Sequence, residues 1–228
     1  MAKENKGKSP SEETLANAAE KRSITDLFED NRNTITYILI GILVLVAGYL
    51  LYRNMVLIPK EKEAIEQMAQ AQLQFERDSF ALALTNPAPG FMGFVDLAKE
   101  YSGTKAGNLS LYYAGISYLQ VGQFAAAIDY LQDFSPVGDV TPAMKAGALG
   151  DAYSETNDFD QALSQYSKAA NKTNNALVAA YYLKKLGMLS ERQGDLKAAR
   201  DAYQTIKDKY FDTPVATDID KYLVRVQG

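Results

Sequence analysis

From residue 109 to 120, and again from 124 to 134, apolar or small residues recur three and four positions apart, the spacing that keeps them on one face of an α-helix. Val121-Gly122-Gln123 separates the two stretches and reads as a turn, so the pattern predicts a helical hairpin. The same arrangement returns downstream. Placing Gly115 over Gly150 brings Tyr118 onto Tyr153, Gly122 onto Asn157, Phe124 onto Phe159, Ala127 onto Ala162 and Leu131 onto Tyr166. In a third copy Gly187, Gly194, Leu196, Ala199 and Tyr203 keep these offsets, with Ser190 in the tyrosine column. One step upstream, Gly90 falls in the alanine column and Phe94 in the aromatic one. A period in the thirties is the signature of stacked supersecondary units, each of which buries its apolar face against a neighbour. The alanines mark close helix crossings, and Leu131 or Tyr166, four positions on, fills the space beside each crossing.

Between Asn33 and Tyr52 the pattern changes to 20 residues without a charge, flanked by Arg32 and Arg53. At helical rise this covers ~30 Å, the thickness of a bilayer core, and predicts one transmembrane helix. A helix apolar on every face has no place in thin helical layers. The run is too long for a signal-peptide core, and no small-x-small cleavage site follows it. Tyr37, Tyr49 and Tyr52 suit the membrane interface. Ahead of the run, Ile24, Leu27 and Phe28 form a short amphipathic stretch or a charged linker helix. Lys21, Arg22 and Arg32 on one side balance Arg53, Lys60 and Lys62 on the other; adding Lys3, Lys6 and Lys8 favours a cytoplasmic N-terminus.

Helix-start signals support the repeat register. Tyr101-Ser102-Gly103-Thr104 and Tyr210-Phe211-Asp212-Thr213 each put threonine three residues after tyrosine, where a helix needs a side-chain oxygen for its free amides. Thr141-Pro142 and Thr213-Pro214 add proline at the expected first helical position. Past Pro214, Ile219, Tyr222, Leu223 and Val226 make a stripe that predicts a terminal capping helix.

Composition narrows the chemistry. The chain has 228 residues, neither cysteine nor histidine, and a net charge of -4. Thiolate sites and the commonest general base and metal ligand are thereby removed. There is no clustered basic surface for nucleic acid and no phosphate-cradling glycine loop. Asp158 with Asp160, and Asp218 with Asp220, are carboxylate pairs, but they fall at a hairpin turn and on a polar helix face. No catalytic, cofactor-binding or metal residues are expected, and the chain reads as a non-enzyme.

The columns Leu149-Gly150, Tyr153, Ala162, Tyr166 and Ala169 resemble the tetratricopeptide repeat. The match is fullest in 142–174, good in 107–139 and 180–213, and half present in 60–106, where only the second helix fits. It implies an all-α fold, one N-terminal transmembrane helix followed by a helical solenoid of three to four repeats plus a capping helix. The expected segments are a cytoplasmic tail at 1–32, the anchor at 33–52, a linker helix and partial repeat at 53–106, three repeats at 107–213 and the cap at 214–228. Such arrays bind proteins in a groove lined by the first helix of each repeat. Carried over residue by residue, that groove comprises Tyr112, Ile116, Leu119 and Gln120, then Asp151, Ser154 and Glu155, then Lys184, Met188, Glu191 and Arg192. Tyr112 and Ile116 stand where a carboxylate-clamp repeat needs lysine and asparagine, which argues against chaperone C-termini as ligands.

The stretch from Ser23 to Asn54, with Phe28-Glu29-Asp30-Asn31 before the anchor, is similar to the start of YfgM-like ancillary subunits of the bacterial Sec translocon. That resemblance implies a single-pass inner-membrane protein with its N-terminus in the cytoplasm and its repeats in the periplasm. Its implied partners are the translocon, exported polypeptides and periplasmic chaperones, with membrane lipid around the anchor and neither nucleic acid nor a small-molecule substrate. The alternative is a scaffold of a cell-envelope or division complex.

Overall fold

The computed structural model describes residues 31–227, and every regular element among them is helical. The tail motif and the amphipathic stretch expected at 24–28 lie outside the described residues, apart from Asn31. The chain divides into two compact units, Met1–Val56 and Leu57–Gly228.

The first unit contains α1 (Arg32–Tyr52), which has no buried residue; its isoleucines, leucines and valines face outward on every side. In water such a surface is unfavourable over its whole area, and lipid removes that penalty. This is the one helix among the described residues that is long and apolar enough to cross a membrane. A π-helical turn, Arg53–Leu57, follows it.

The second unit begins with α2 (Ile58–Glu76), α3 (Phe80–Thr85) and α4 (Phe94–Glu100). One second helix was expected in this segment, but two short ones form. Pro87 and Pro89 lie between them, and neither supplies an amide for helical bonding. Gly90, expected at a helix crossing, sits in that loop with φ +80°. Phe94 still packs in the core with Leu97, Met68 and Ala71.

Three hairpins follow, α5 (Lys105–Gln120) with α6 (Phe124–Asp133), α7 (Thr141–Glu155) with α8 (Phe159–Asn171), and α9 (Ala176–Arg192) with α10 (Leu196–Lys209). Each helix packs on the next in chain order, and α7 also touches α5 and α9. The hairpin turns reuse one device, a residue with positive φ at the same place: Gly122 at +77°, Asn157 at +61° and Gly194 at +83°. Asparagine tolerates that left-handed conformation better than most non-glycine residues, so it substitutes in the middle copy.

Inside each hairpin a glycine of the first helix receives a large side chain of the second. A methyl group on Gly115 would meet Leu131, one on Gly150 would meet Tyr166, and one on Gly187 would meet Tyr203, all within 3 Å. The three pairs are each sixteen positions apart. Ala127, Ala162 and Ala199 are fully buried beside them, as the alanine column predicts.

Capping is more varied than the threonine pattern implies. The Thr104 hydroxyl accepts from Gly107 N at 2.9 Å and donates to Tyr101 O at 2.7 Å. Thr213 repeats only the second bond, to Tyr210 O at 2.7 Å, because the following segment Pro214–Asp218 is a 3₁₀ turn that begins with an amide-less proline. Thr141 lies inside α7, its hydroxyl bonded to Val137, and Pro142 takes the second helical position rather than the first. The chain closes with α11 (Ile219–Arg225), whose Ile219 and Leu223 are buried with Tyr203 and Ile206.

A long-range cap was not predicted. Glu61 of α2 accepts from the amides of Lys105 at 2.6 Å and Ala106 at 3.1 Å, which satisfies two of the four free donors at the start of α5. Glu61→Ala is expected to cost about 1 kcal/mol, in line with the loss of other N-terminal caps. In urea titrations this reads as a lower midpoint at unchanged slope; an unchanged midpoint would show that the cap contributes nothing.

Candidate interaction cleft

The turn between α5 and α6, the C-terminal part of α7 and the middle of α9 enclose a cleft of about 510 Å³. At its floor Gly150 gives the Tyr166 ring room to lie against α7, and the Tyr166 hydroxyl donates to Asp151 Oδ1 at 2.7 Å. Lys185 crosses from the next hairpin to donate to both oxygens of the same carboxylate, at 2.7 and 2.8 Å. Its ammonium also lies 5.2 Å from the Tyr181 ring and 5.7 Å from the Tyr166 ring. Burial works against the Lys185 charge, but Asp151 and Tyr181 outweigh it and hold the ammonium above the ordinary lysine range. Burial and the Asp151 charge both push the Tyr166 phenol upward. These three side chains largely use up one another's bonding capacity.

The cleft walls are different. Leu119, Gln120 and Phe124 come from the first hairpin, and Ser154 and Glu155 from the second. Gln120 and Glu155 are exposed, and neither their side chains nor that of Ser154 has a hydrogen-bond or ion-pair partner among the described residues. An adjoining cleft of about 220 Å³ shares Ser154, Tyr166 and Lys185 with the first and adds Met188, Leu189 and Arg192. There the Arg192 guanidinium lies over the Phe159 ring, 5.5 Å from its centre.

The residues expected in a groove thus separate into three groups. Leu119, Gln120, Asp151, Ser154 and Glu155 line the larger cleft, and Met188 and Arg192 line the smaller. Tyr112 and Ile116 pack between hairpins around Leu131, Ala148 and Leu149. The Tyr112 ring lies 5.3 Å from that of Phe134, and burial together with Tyr113 and Asp151 pushes its phenol up to about 12. Lys184 and Glu191 turn toward the terminal helix instead: Lys184 pairs with Asp218 at 2.9 Å and lies over Tyr222, while Glu191 pairs with Arg225 at 2.7 Å and accepts from Tyr203.

Phe124, Tyr166, Lys185 and Leu189 line the clefts without having been expected there, and the Tyr181 ring lies beside the Lys185 ammonium. Leu177, Tyr181 and Met188 are exposed on α9 at spacings of four and seven, so they share one face. A signal for Lys185 does exist in the sequence. Asp151 and Lys185 are 34 positions apart, as are Lys184 and Asp218, and Glu191 and Arg225. Opposite charges 34 positions apart, three short of the step from Gly150 to Gly187 and so about one helical turn out of strict equivalence, meet between neighbouring units.

Among the described residues, no group of three or more acidic side chains could hold a metal ion. No family model and no curated protein matches the chain.

Proposed function

We propose that this chain is a membrane-anchored protein-interaction module, built as a tetratricopeptide solenoid behind a single transmembrane helix. On this reading it has no catalytic role of its own. It is an ancillary subunit of the bacterial Sec translocon, with its N-terminus in the cytoplasm and its repeats in the periplasm, where it engages exported polypeptides or chaperones. The observation that carries the reading is the pairing of a lipid-compatible helix with stacked hairpins that leave an open cleft, edged by hydrogen-bonding groups without partners among the described residues. Tethering keeps such a cleft near its clients, so modest intrinsic affinity suffices for occupancy.

The test combines topology with capture. Protease added to spheroplasts is expected to degrade residues 60–228 and spare the tail. Photocrosslinkers at Gln120 and Met188, in native membranes, are expected to trap translocon components, exported chains or periplasmic chaperones. Protection of the repeats removes the periplasmic orientation. Recovery only of wall-synthesis or division proteins favours an envelope scaffold instead.

A further inference from the structure

The larger cleft has an electrostatic asymmetry that the groove reading does not require. It lies at the C-terminal ends of two helices, α5, which ends at Gln120, and α7, which ends at Glu155. A helix C-terminus carries roughly half a negative charge, which a lysine or arginine in the last turn can offset. Neither α5 nor α7 has a basic residue there, whereas α9 has Arg192 and α10 has Lys207 and Lys209. The Glu155 carboxylate adds a full negative charge at the same place, without an ion-pair partner among the described residues. Lys185, the cation at the cleft floor, is neutralised by Asp151. The field at this end therefore favours a cation.

The adjoining cleft has the opposite preference. Met188, Leu189 and the Tyr166 ring give it an apolar lining, and Arg192 discourages a second positive charge. Because the two clefts share Ser154, Tyr166 and Lys185, one extended ligand reaches both. Resting on the proposal that this groove binds polypeptides, we infer that it selects extended segments in which a lysine or arginine stands within a few residues of a large apolar side chain. The cation lies by Glu155 and the ends of α5 and α7, and the apolar group lies against Met188 and Leu189. Gln120 and Ser154 remain available to the segment's backbone. An acidic segment is rejected by Glu155 and the two helix ends.

The full chain in lipid nanodiscs, titrated against three fluorescein-labelled peptides, tests this. The peptides share a Gly-Ser background and carry Lys-Leu-Leu, Gln-Leu-Leu or Glu-Leu-Leu at the centre. Fluorescence anisotropy at low salt is expected to rank them in that order, with about a tenfold preference for the lysine peptide over the glutamate one, from one exposed ion pair plus the helix ends. The preference should shrink as salt rises. Glu155→Lys, a change at an exposed side chain, should abolish or reverse it, and Met188→Ser should weaken all three peptides alike. Equal binding of the three, or a preference unchanged by Glu155→Lys, overturns the selectivity and leaves the groove reading standing. So does failure of all three to bind while a photocrosslinker at Gln120 still traps a protein. Failure of all three with no crosslink at Gln120 removes the groove reading and this inference together.

Discussion

Gly147→Ala is expected to destabilise the protein, although alanine is the better helix former. At an unconstrained helix interior the change would gain about 1 kcal/mol. A methyl group at residue 147, however, would lie 1.9 Å from Cε1 and 2.3 Å from the hydroxyl of Tyr182, on the facing helix of the next hairpin. Gly147 is itself buried, with the buried Ala146 and Ala148 on either side, so α7 has little freedom to shift. Overpacking of this kind costs about 1–3 kcal/mol and outweighs the propensity gain, most clearly for Gly147→Leu. At roughly 2–4 °C per kcal/mol for a unit of this size, Gly147→Leu should melt about 5–10 °C below the parent when the full chain is followed by circular dichroism in mild detergent. Adding Tyr182→Ala should recover part of the loss in Gly147→Ala, because it removes the obstructing ring. Ser154→Ala, on the cleft wall, should stay within about 0.5 kcal/mol of the parent. A Gly147→Ala protein as stable as the parent, with no response to Tyr182→Ala, would mean that the two helices do not approach as described.

Alkaline pH should unfold the array in a step coupled to tyrosine ionisation. Burial, reinforced by nearby carboxylates, pushes the phenols of Tyr166, Tyr182 and Tyr203 above the usual tyrosine range. Lys185 is also held above its ordinary value of 10.5. The folded state thus keeps protons that the unfolded chain releases. The stability contributed by these groups is complete below about pH 10 and falls as pH rises toward the native values, by about 1.4 kcal/mol per group for every pH unit climbed between its unfolded and native pKa. Phenolate absorbance and far-ultraviolet circular dichroism should therefore change together above pH 10. Early, gradual ionisation with the helices intact would contradict the burial of these rings. On the acid side Glu191 and Asp218 are held below the usual carboxylate range, chiefly by their bonds to Arg225 and Lys184. Their contribution is present at neutral pH and disappears as pH falls through those lowered values. Asp218 is partly open to solvent and Arg225, the partner of Glu191, is exposed, so the acid effect is the smaller one.

The hairpins were legible because their information is local. Apolar spacing, the left-handed turn residue and the glycine and alanine columns all lie within one repeat, and Gly122, Asn157 and Gly194 adopt the same backbone conformation despite the substitution. Contacts between repeats were harder to read. Lys184 and Lys185 are adjacent and chemically identical, yet Lys184 pairs with Asp218 downstream and Lys185 with Asp151 upstream. Only the charges one repeat away on either side distinguish them. Gly147 carried no signal as a close approach, since the ring it accommodates belongs to the next hairpin. Tyr112 and Ile116 hold groove positions by register, but the neighbouring Leu149 and Phe134 draw them inward. The broken helix after α3 is a different case: Pro87 and Pro89 were visible in the sequence, and the column match at Gly90 masked them.

The glycine and large-residue pairs at Gly115 and Leu131, Gly150 and Tyr166, and Gly187 and Tyr203 also bear on how the chain reaches its native state. Each pair closes a loop of only sixteen positions, so little chain entropy is lost before the contact forms. Topologies dominated by such short-range closures fold fast, and helical bundles of low contact order do so in microseconds to milliseconds. A chain that emerges from its N-terminus onward, at the pace of synthesis, therefore has time to close each hairpin before the next one is complete. The first hairpin then offers a formed surface for the second. Within the three hairpins, little apolar surface waits for a distant part of the sequence to arrive.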